Sequence, residues 1–272
     1  MVALQHHVAA FNTAKASENL IHDDATARRF GFTGGLVPGV EVYAYMTHPA
    51  ARHWGRAWLE SGWLSARFIK PVYDGERAEI TADEAEDGTL AITVRVGDRL
   101  CATGNAGMTE APLAPIADIA AVPLPAADDR PPASFDSLVA DSVLGEVSFD
   151  ASPAAVAAYH QAVGEDLSLY GDGGPVHPGL LLRLANAALK DNVRLGPWIH
   201  VGSQARHRAL AAPGARLTGR ARVARTYRHK GHGFVDLDVI VADGATRVME
   251  ARHVAIFAPR QVSQPEAAHS GA

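Results

Sequence analysis

Two glycine-proline turns, each opening onto a long apolar stretch, constrain this chain more than any other feature. Gly34-Gly35-Leu36-Val37-Pro38-Gly39 leads into VEVYAYMTHPAARHW, and Gly174-Pro175-Val176-His177-Pro178-Gly179 leads into LLLRLANAALKDNV. Proline followed by glycine stops an extended run and lets a helix begin, so each turn predicts a helix N-terminus. LLLRLANAAL is apolar over a wide face, which predicts heavy burial. Downstream, Ala66-Arg67 precedes Gly75 as Ala205-Arg206 precedes Gly214, and these landmarks keep the Gly39-to-Gly179 offset to within one position. Two landmarks at one offset indicate a tandem duplication.

Between the halves, APLAPIADIAAVPLPAADDRPPASFD carries too many prolines for a long helix or a central strand. The boundaries read from this are a first domain at 1–110, an extended linker at 111–136, a second domain at 137–260 and a disordered tail at 261–272. After its helix each half turns β-rich: WLSARFIKPV, ERAEITADEA, LAITVRV and LCATGNAGMTE in the first, WIHVGSQARHRAL, ARLTGRARVARTYRH, GFVDLDVIVAD and TRVMEARHVAIFA in the second. Alternation in FVDLDVIV and turns such as EDG, VGD and ADG predict antiparallel strands. A helix followed by an antiparallel meander predicts a sheet wrapped around that helix, once per half, and the two copies could abut edge to edge as one continuous sheet.

The chain has 272 residues, 47% of them hydrophobic, enough for a sizeable core. A formal net charge of -5 with dispersed Lys and Arg argues against nucleic-acid binding. The single cysteine, Cys101, excludes an internal disulfide and reads as a packed strand residue. The N-terminus lacks a basic-then-apolar leader and no apolar run reaches membrane-spanning length, so a cytoplasmic location without membrane association is expected. No histidine spacing suggests a metal site.

From Asn19 the order Asn19, Ile21, His22, Asp24, Ala27, then Gly31-Phe32-Thr33-Gly34, then Gly39, then Phe68-Ile69-Lys70-Pro71-Val72-Tyr73-Asp74-Gly75-Glu76 resembles the MaoC-like, R-specific enoyl-CoA hydratases. The resemblance implies an α+β double hot dog, in which two antiparallel sheets each wrap a long central helix and form a pseudo-dimer. It leaves both a monomer and a homodimer of the chain open. It also implies a hydratase or dehydratase acting on an acyl thioester, with coenzyme A as part of the substrate and no separate cofactor. His22 takes the place of the family's histidine, Asn19 that of the motif asparagine and Gly39 that of the oxyanion glycine, with Gly35 in the turn before it. Ser17 stands where the family has its aspartate, Leu20 replaces the motif proline, and Pro38 replaces the histidine before the glycine. Serine is no general base at neutral pH without an activator. Glu18, Asp23, Asp24, Glu41 and Glu165 are the nearby or interlobe carboxylates that could substitute, and Asp24 suits a helix start.

The second half fits as a degenerate copy, with Glu165 in the aspartate's place and Tyr170 in the histidine's. Tyr170, His177 and Gly179 complete that lobe's candidate contributors, with packing the more ordinary role for Tyr170. Arg67 and Arg206 read as ligands for phosphate or carboxylate, or as strand-face charges and interlobe ion pairs. The run Arg220–Lys230 reads as a phosphate contact or a solvated face. His200, His207, His229 and His232 are expected mostly at the surface, and Trp54, Trp58 and Trp63 under the sheet. Two other functions stay open: a hot-dog acyl-CoA thioesterase using Glu41, and a non-catalytic acyl-CoA-binding subunit.

Overall fold

The computed structural model describes residues 4–14, 19, 22–29, 31–109 and 111–260; Ser17, Glu18, Leu20 and the 261–272 tail lie outside them. In the first half, strand β1 (Leu4–Ala9) and helix α1 (Asp24–Arg29) precede helices α2 (Gly39–Trp54) and α3 (Arg56–Ser61). Strands β2 (Trp63–Phe68), β3 (Arg77–Glu84), β4 (Leu90–Val96) and β5 (Arg99–Gly107) follow. Asp23 caps α1, its Oδ1 accepting from the Thr26 N–H at 2.9 Å, so the cap stands one residue before the expected Asp24.

The second half repeats the plan with β6 (Val143–Asp150), α4 (Pro153–Ala162), α5 (Pro178–Lys190), β7 (Ile199–His207), β8 (Arg216–His229), β9 (His232–Asp243) and β10 (Thr246–Ala258). Ser152 caps α4 through the Ala155 N–H, with Pro153 in the first turn.

The ten strands form one antiparallel sheet in the order β1-β3-β4-β5-β2-β7-β10-β9-β8-β6. The sheets expected of the two halves are joined into one, with β2 and β7 hydrogen-bonded across the middle. Their pairing satisfies backbone groups that two free edges would leave unpaired between the lobes. The register places Ser65 opposite Gln204, its own counterpart in the repeat, with Leu64 opposite Ala205 and Ala66 opposite Ser203. A pseudo-two-fold axis therefore crosses the sheet at the Ser65–Gln204 pair.

Helix α2 packs on the strands of the first half, α5 on β6, β8, β9 and β10, and the two helices on each other. One core spans both halves: Ile80, Ile92 and Val94 from one meander, Leu182, Leu184 and Leu189 from α5, and Val235, Leu237 and Val239 from β9. A leucine buried this completely stabilises by ~2 kcal/mol. Cys101 and Trp58 are buried in this core as well, with Trp54 packed against its edge; Trp63 is also buried. The 111–136 segment is mostly extended, with a 3-10 turn at Ala127–Asp129 and a second turn beginning at Ser134. Leu113, Ile116 and Ile119 pack on Ile240, covering the face of β9 that points away from α5.

Candidate active site

His22 sits between the two lobes. Its Nδ1 lies 2.6 Å from the Leu36 carbonyl, and a carbonyl only accepts, so Nδ1 carries the proton. Its Nε2 is left as a lone pair, accepting from Asn19 Nδ2 at 3.3 Å. Asn19 is anchored on the second lobe, donating to the Trp198 carbonyl at 3.1 Å and accepting from the Trp198 N–H at 3.3 Å. Asn12, which sequence reading passed over, donates to the His22 carbonyl at 3.1 Å. Burial lowers the pKa of His22, against the smaller opposing pull of the Leu36 carbonyl and Glu41. The imidazole is therefore neutral at pH 7, a base with its lone pair oriented.

His22 and Asn19 line a cavity of about 270 Å³ with Leu36, Gly39, Val42, Phe68, Trp198 and His200. Helix α2 opens into it from Pro38, which has no side chain to cap the first turn. Hydrogen bonding begins with the Glu41 and Val42 N–H groups on the Pro38 carbonyl, which leaves the donors of Gly39 and Val40 without a helical acceptor. Such a terminus attracts negative charge. A second cavity of about 780 Å³ adjoins the first, sharing Asn19, His22, Pro38, Asn186 and Trp198. Arg130, Arg183, Lys190 and Arg194 line it.

The second lobe is built differently at the matching place. His177 caps α5, its Nδ1 accepting from the Gly179 N–H at 3.0 Å. A Cβ on Gly179 would fall 2.3 Å from the Tyr159 hydroxyl and 2.6 Å from Ala44 Cβ, so glycine is what lets α5 approach α2. His177 Nε2 donates to Glu165 Oε2 at 3.3 Å, and His48 on α2 holds Glu165 Oε1 at 3.0 Å. Burial would raise the Glu165 carboxyl, but the hydrogen bonds from His177 and His48 outweigh it and hold the group well below the usual carboxylate range. Tyr170 is buried, with its ring 4.9 Å from that of His177. Neither cavity is lined by Glu165, Tyr170, His177 or Gly179; they fasten the lobes together. Nearby, His6, His48 and Asp166 bring three possible metal ligands together. The rings of His6 and His48 are stacked at 3.6 Å and 9°, so their lone pairs run in parallel planes rather than converging on an ion.

Solved structures match this arrangement over nearly its whole length. A putative MaoC domain protein dehydratase from Chloroflexus aurantiacus J-10-fl is similar with a TM-score of 0.65 and 11% identity, covering 95% of each chain. A conserved hypothetical protein from Mycobacterium tuberculosis, described as having a double hot-dog fold, gives 0.62 at 17% identity, covering 94% of this chain and 95% of that one. This chain is a double hot dog. A putative oleoyl thioesterase from Lactobacillus plantarum gives 0.53 at 10% identity over 95% and 98% of the chains, so structures described as dehydratase and as thioesterase share the likeness. No family model matches the sequence, and no curated protein does.

The remaining candidates find other places in the double hot dog. Glu41 is buried on α2, and both its oxygens are taken: Oε1 by Thr13 at 2.6 Å and by Arg183, Oε2 by the Tyr159 hydroxyl at 3.2 Å. It is an interlobe ion pair that also lines the second cavity; Oε1 is crowded by Thr13 and Arg183, while Oε2 carries one bond, from Tyr159. Arg67 is exposed on β2 and lines neither cavity. Gly35 is buried beside Leu36, outside the lining. Arg220, Arg222 and Arg225 pair with Glu146, Asp238 and Asp236, and Arg228 lies over the Phe135 ring, so the basic run is largely committed within the sheet. His229 is exposed and His232 partly so, but His200 and His207 are buried, contrary to expectation. No helix among the described residues is long and apolar enough to cross a membrane.

Proposed function

We propose that this chain is a hydro-lyase with one working site, adding water to, or removing it from, the Cα–Cβ bond of an acyl thioester beside His22. The observation that carries this reading is the asymmetry of the two helix N-termini. At α5 the Gly179 N–H is taken by His177 and the space is filled by Tyr159 and Ala44. At α2 the first N–H groups are uncapped at a cavity that also holds a neutral, oriented histidine.

In hydration, a water molecule displaces Asn19 Nδ2 from His22 Nε2, which takes one of its protons as the water oxygen bonds to Cβ. The C=C electron pair moves onto the thioester, giving an enolate whose oxygen is stabilised by the α2 N-terminus. The imidazolium then returns the proton to Cα, and dehydration is the reverse. The lining of Leu36, Val42 and Phe68 suits the acyl chain, and the adjoining cations, Arg130, Lys190 and Arg194 among them, suit the phosphates of coenzyme A. No resident cofactor enters this scheme. The thioesterase reading is weakened by the commitment of Glu41 to Arg183.

Mixing the protein with crotonyl-CoA and a panel of other enoyl-CoA esters should bleach the enoyl-thioester absorbance. His22→Ala should lower kcat/KM by ~10²–10⁴-fold. Absence of turnover on every ester would overturn the reading.

A further inference from the structure

We propose that His200, supplied by the second lobe, holds the attacking water or the 3-hydroxyl of the product through its bare Nδ1. The inference rests on the hydro-lyase reading and gives that site a second polar group beside His22. His200 is on β7, is buried, and lines the same cavity as His22 and Gly39. Its Nε2 lies 3.1 Å from the Gly202 carbonyl and 2.8 Å from Ser203 Oγ. The carbonyl can only accept, so Nε2 carries the hydrogen; Ser203 Oγ is then free to donate to His253 Nδ1, 3.0 Å away. This fixes the tautomer and leaves Nδ1 as a lone pair.

That Nδ1 is buried and has no hydrogen-bond partner among the described residues. A buried acceptor left unpaired is costly and calls for an explanation. Its position supplies one. A Cβ on Gly39 would lie 2.7 Å from it, so the lone pair stands at the first residue of α2, beside the uncapped N–H groups. Donors for the enolate oxygen and an acceptor for an O–H group thus meet at one end of the cavity. A thioester carbonyl has no hydrogen to offer Nδ1; a water or a 3-hydroxyl does. Burial, reinforced by the stacked His253 ring at 4.0 Å, keeps the pKa of His200 far below its ordinary value, so the lone pair persists at neutral pH. In hydration one water hydrogen goes to His22 Nε2 while the other stays on oxygen and points at His200 Nδ1. It becomes the hydrogen of the product hydroxyl, and His200 neither gains nor loses a proton.

The test compares 3-hydroxybutyryl-CoA with butyryl-CoA, which lacks only the hydroxyl. Calorimetry on the unaltered protein should show about tenfold tighter binding of the hydroxy ester. The nitrogen-15 signal of the His200 lone-pair nitrogen should move upfield with that ester alone. His200→Leu should abolish the preference, so that the two esters bind alike, and His200→Asn, which keeps an acceptor near the Nδ1 position, should retain most of it. Equal affinity for the two esters, or an unmoved nitrogen signal, overturns the role of His200 and leaves the hydro-lyase reading standing. Binding of neither ester overturns both.

Discussion

A methyl group placed on Gly39 and one placed on Gly179 meet different surroundings, although the two residues begin equivalent helices. At Gly39 it would press on His200 Nδ1 at 2.7 Å and Phe68 at 3.0 Å, both cavity side chains. At Gly179 it would strike the Tyr159 hydroxyl at 2.3 Å and Ala44 of the facing helix. Gly39→Ala should therefore fold and lose turnover by about 10²-fold, through a displaced acceptor and a blocked helix terminus. Gly179→Ala should cost about 1–3 kcal/mol of stability by overpacking. Urea denaturation beside a hydration assay separates the two; equal losses of activity at equal stability would contradict the assignment. Local spacing brought Asn19, His22 and Gly39 to one cavity because a loop and the turn after it cannot separate far. His200 was hidden because WIHVGSQARHRAL reads as an ordinary strand, and its site relevance depends on β7 crossing to pair with β2. The partners of Glu41 were hidden for the same reason: Arg183 and Tyr159, which bind it, lie in the other half of the chain.

Among elements, the two long helices and the four β-rich runs of each half were legible from their turns and alternation. Strands β1 and β6 were not. LQHHVA and VLGEVSFD are the outer edges of the sheet, where strands carry more polar residues and a weaker signal. The sequence left separate and edge-joined sheets both open, because edge pairing between β2 and β7 is a backbone event that side-chain pattern does not report. The contact between α2 and α5 carries its own prediction. Glu41 binds Arg183, Thr13 and Tyr159 in a buried setting, so Glu41→Ala leaves donors without their acceptor and should lower the unfolding free energy by about 3 kcal/mol. Thermal and urea unfolding measure this directly. A Glu41→Ala protein of unchanged stability that had lost thioester hydrolysis would instead restore the hydrolase reading.

At the scale of the whole molecule, the lobes are joined by a core that buries histidines in neutral form, and that makes the fold sensitive to acid. His200, His207 and His253 are each buried, and burial is the largest cause of their lowered pKa values, to about 4 for His207 and about 3 for His253. In the unfolded chain each returns to its ordinary 6.5. Below that pH the unfolded chain takes up protons that the folded one refuses, so stability falls as pH falls. The slope is about 1.4 kcal/mol per pH unit for each histidine. Three together approach about 4 kcal/mol per unit, so a domain of ordinary stability, about 5–15 kcal/mol, loses its margin within a few units. Glu165 adds a lower window: its carboxyl is held below the ordinary 4.5, so its contribution is present above that pH and lost as pH falls through the depressed value. Urea midpoints should be level near neutrality and drop steeply between pH 6.5 and 4. In His207→Gln, which can still donate to the Trp58 carbonyl that His207 Nδ1 contacts at 3.2 Å, the slope should shrink by about 1.4 kcal/mol per pH unit. A profile that stays flat to pH 5 would mean that these histidines are protonated in the folded protein, contrary to their burial.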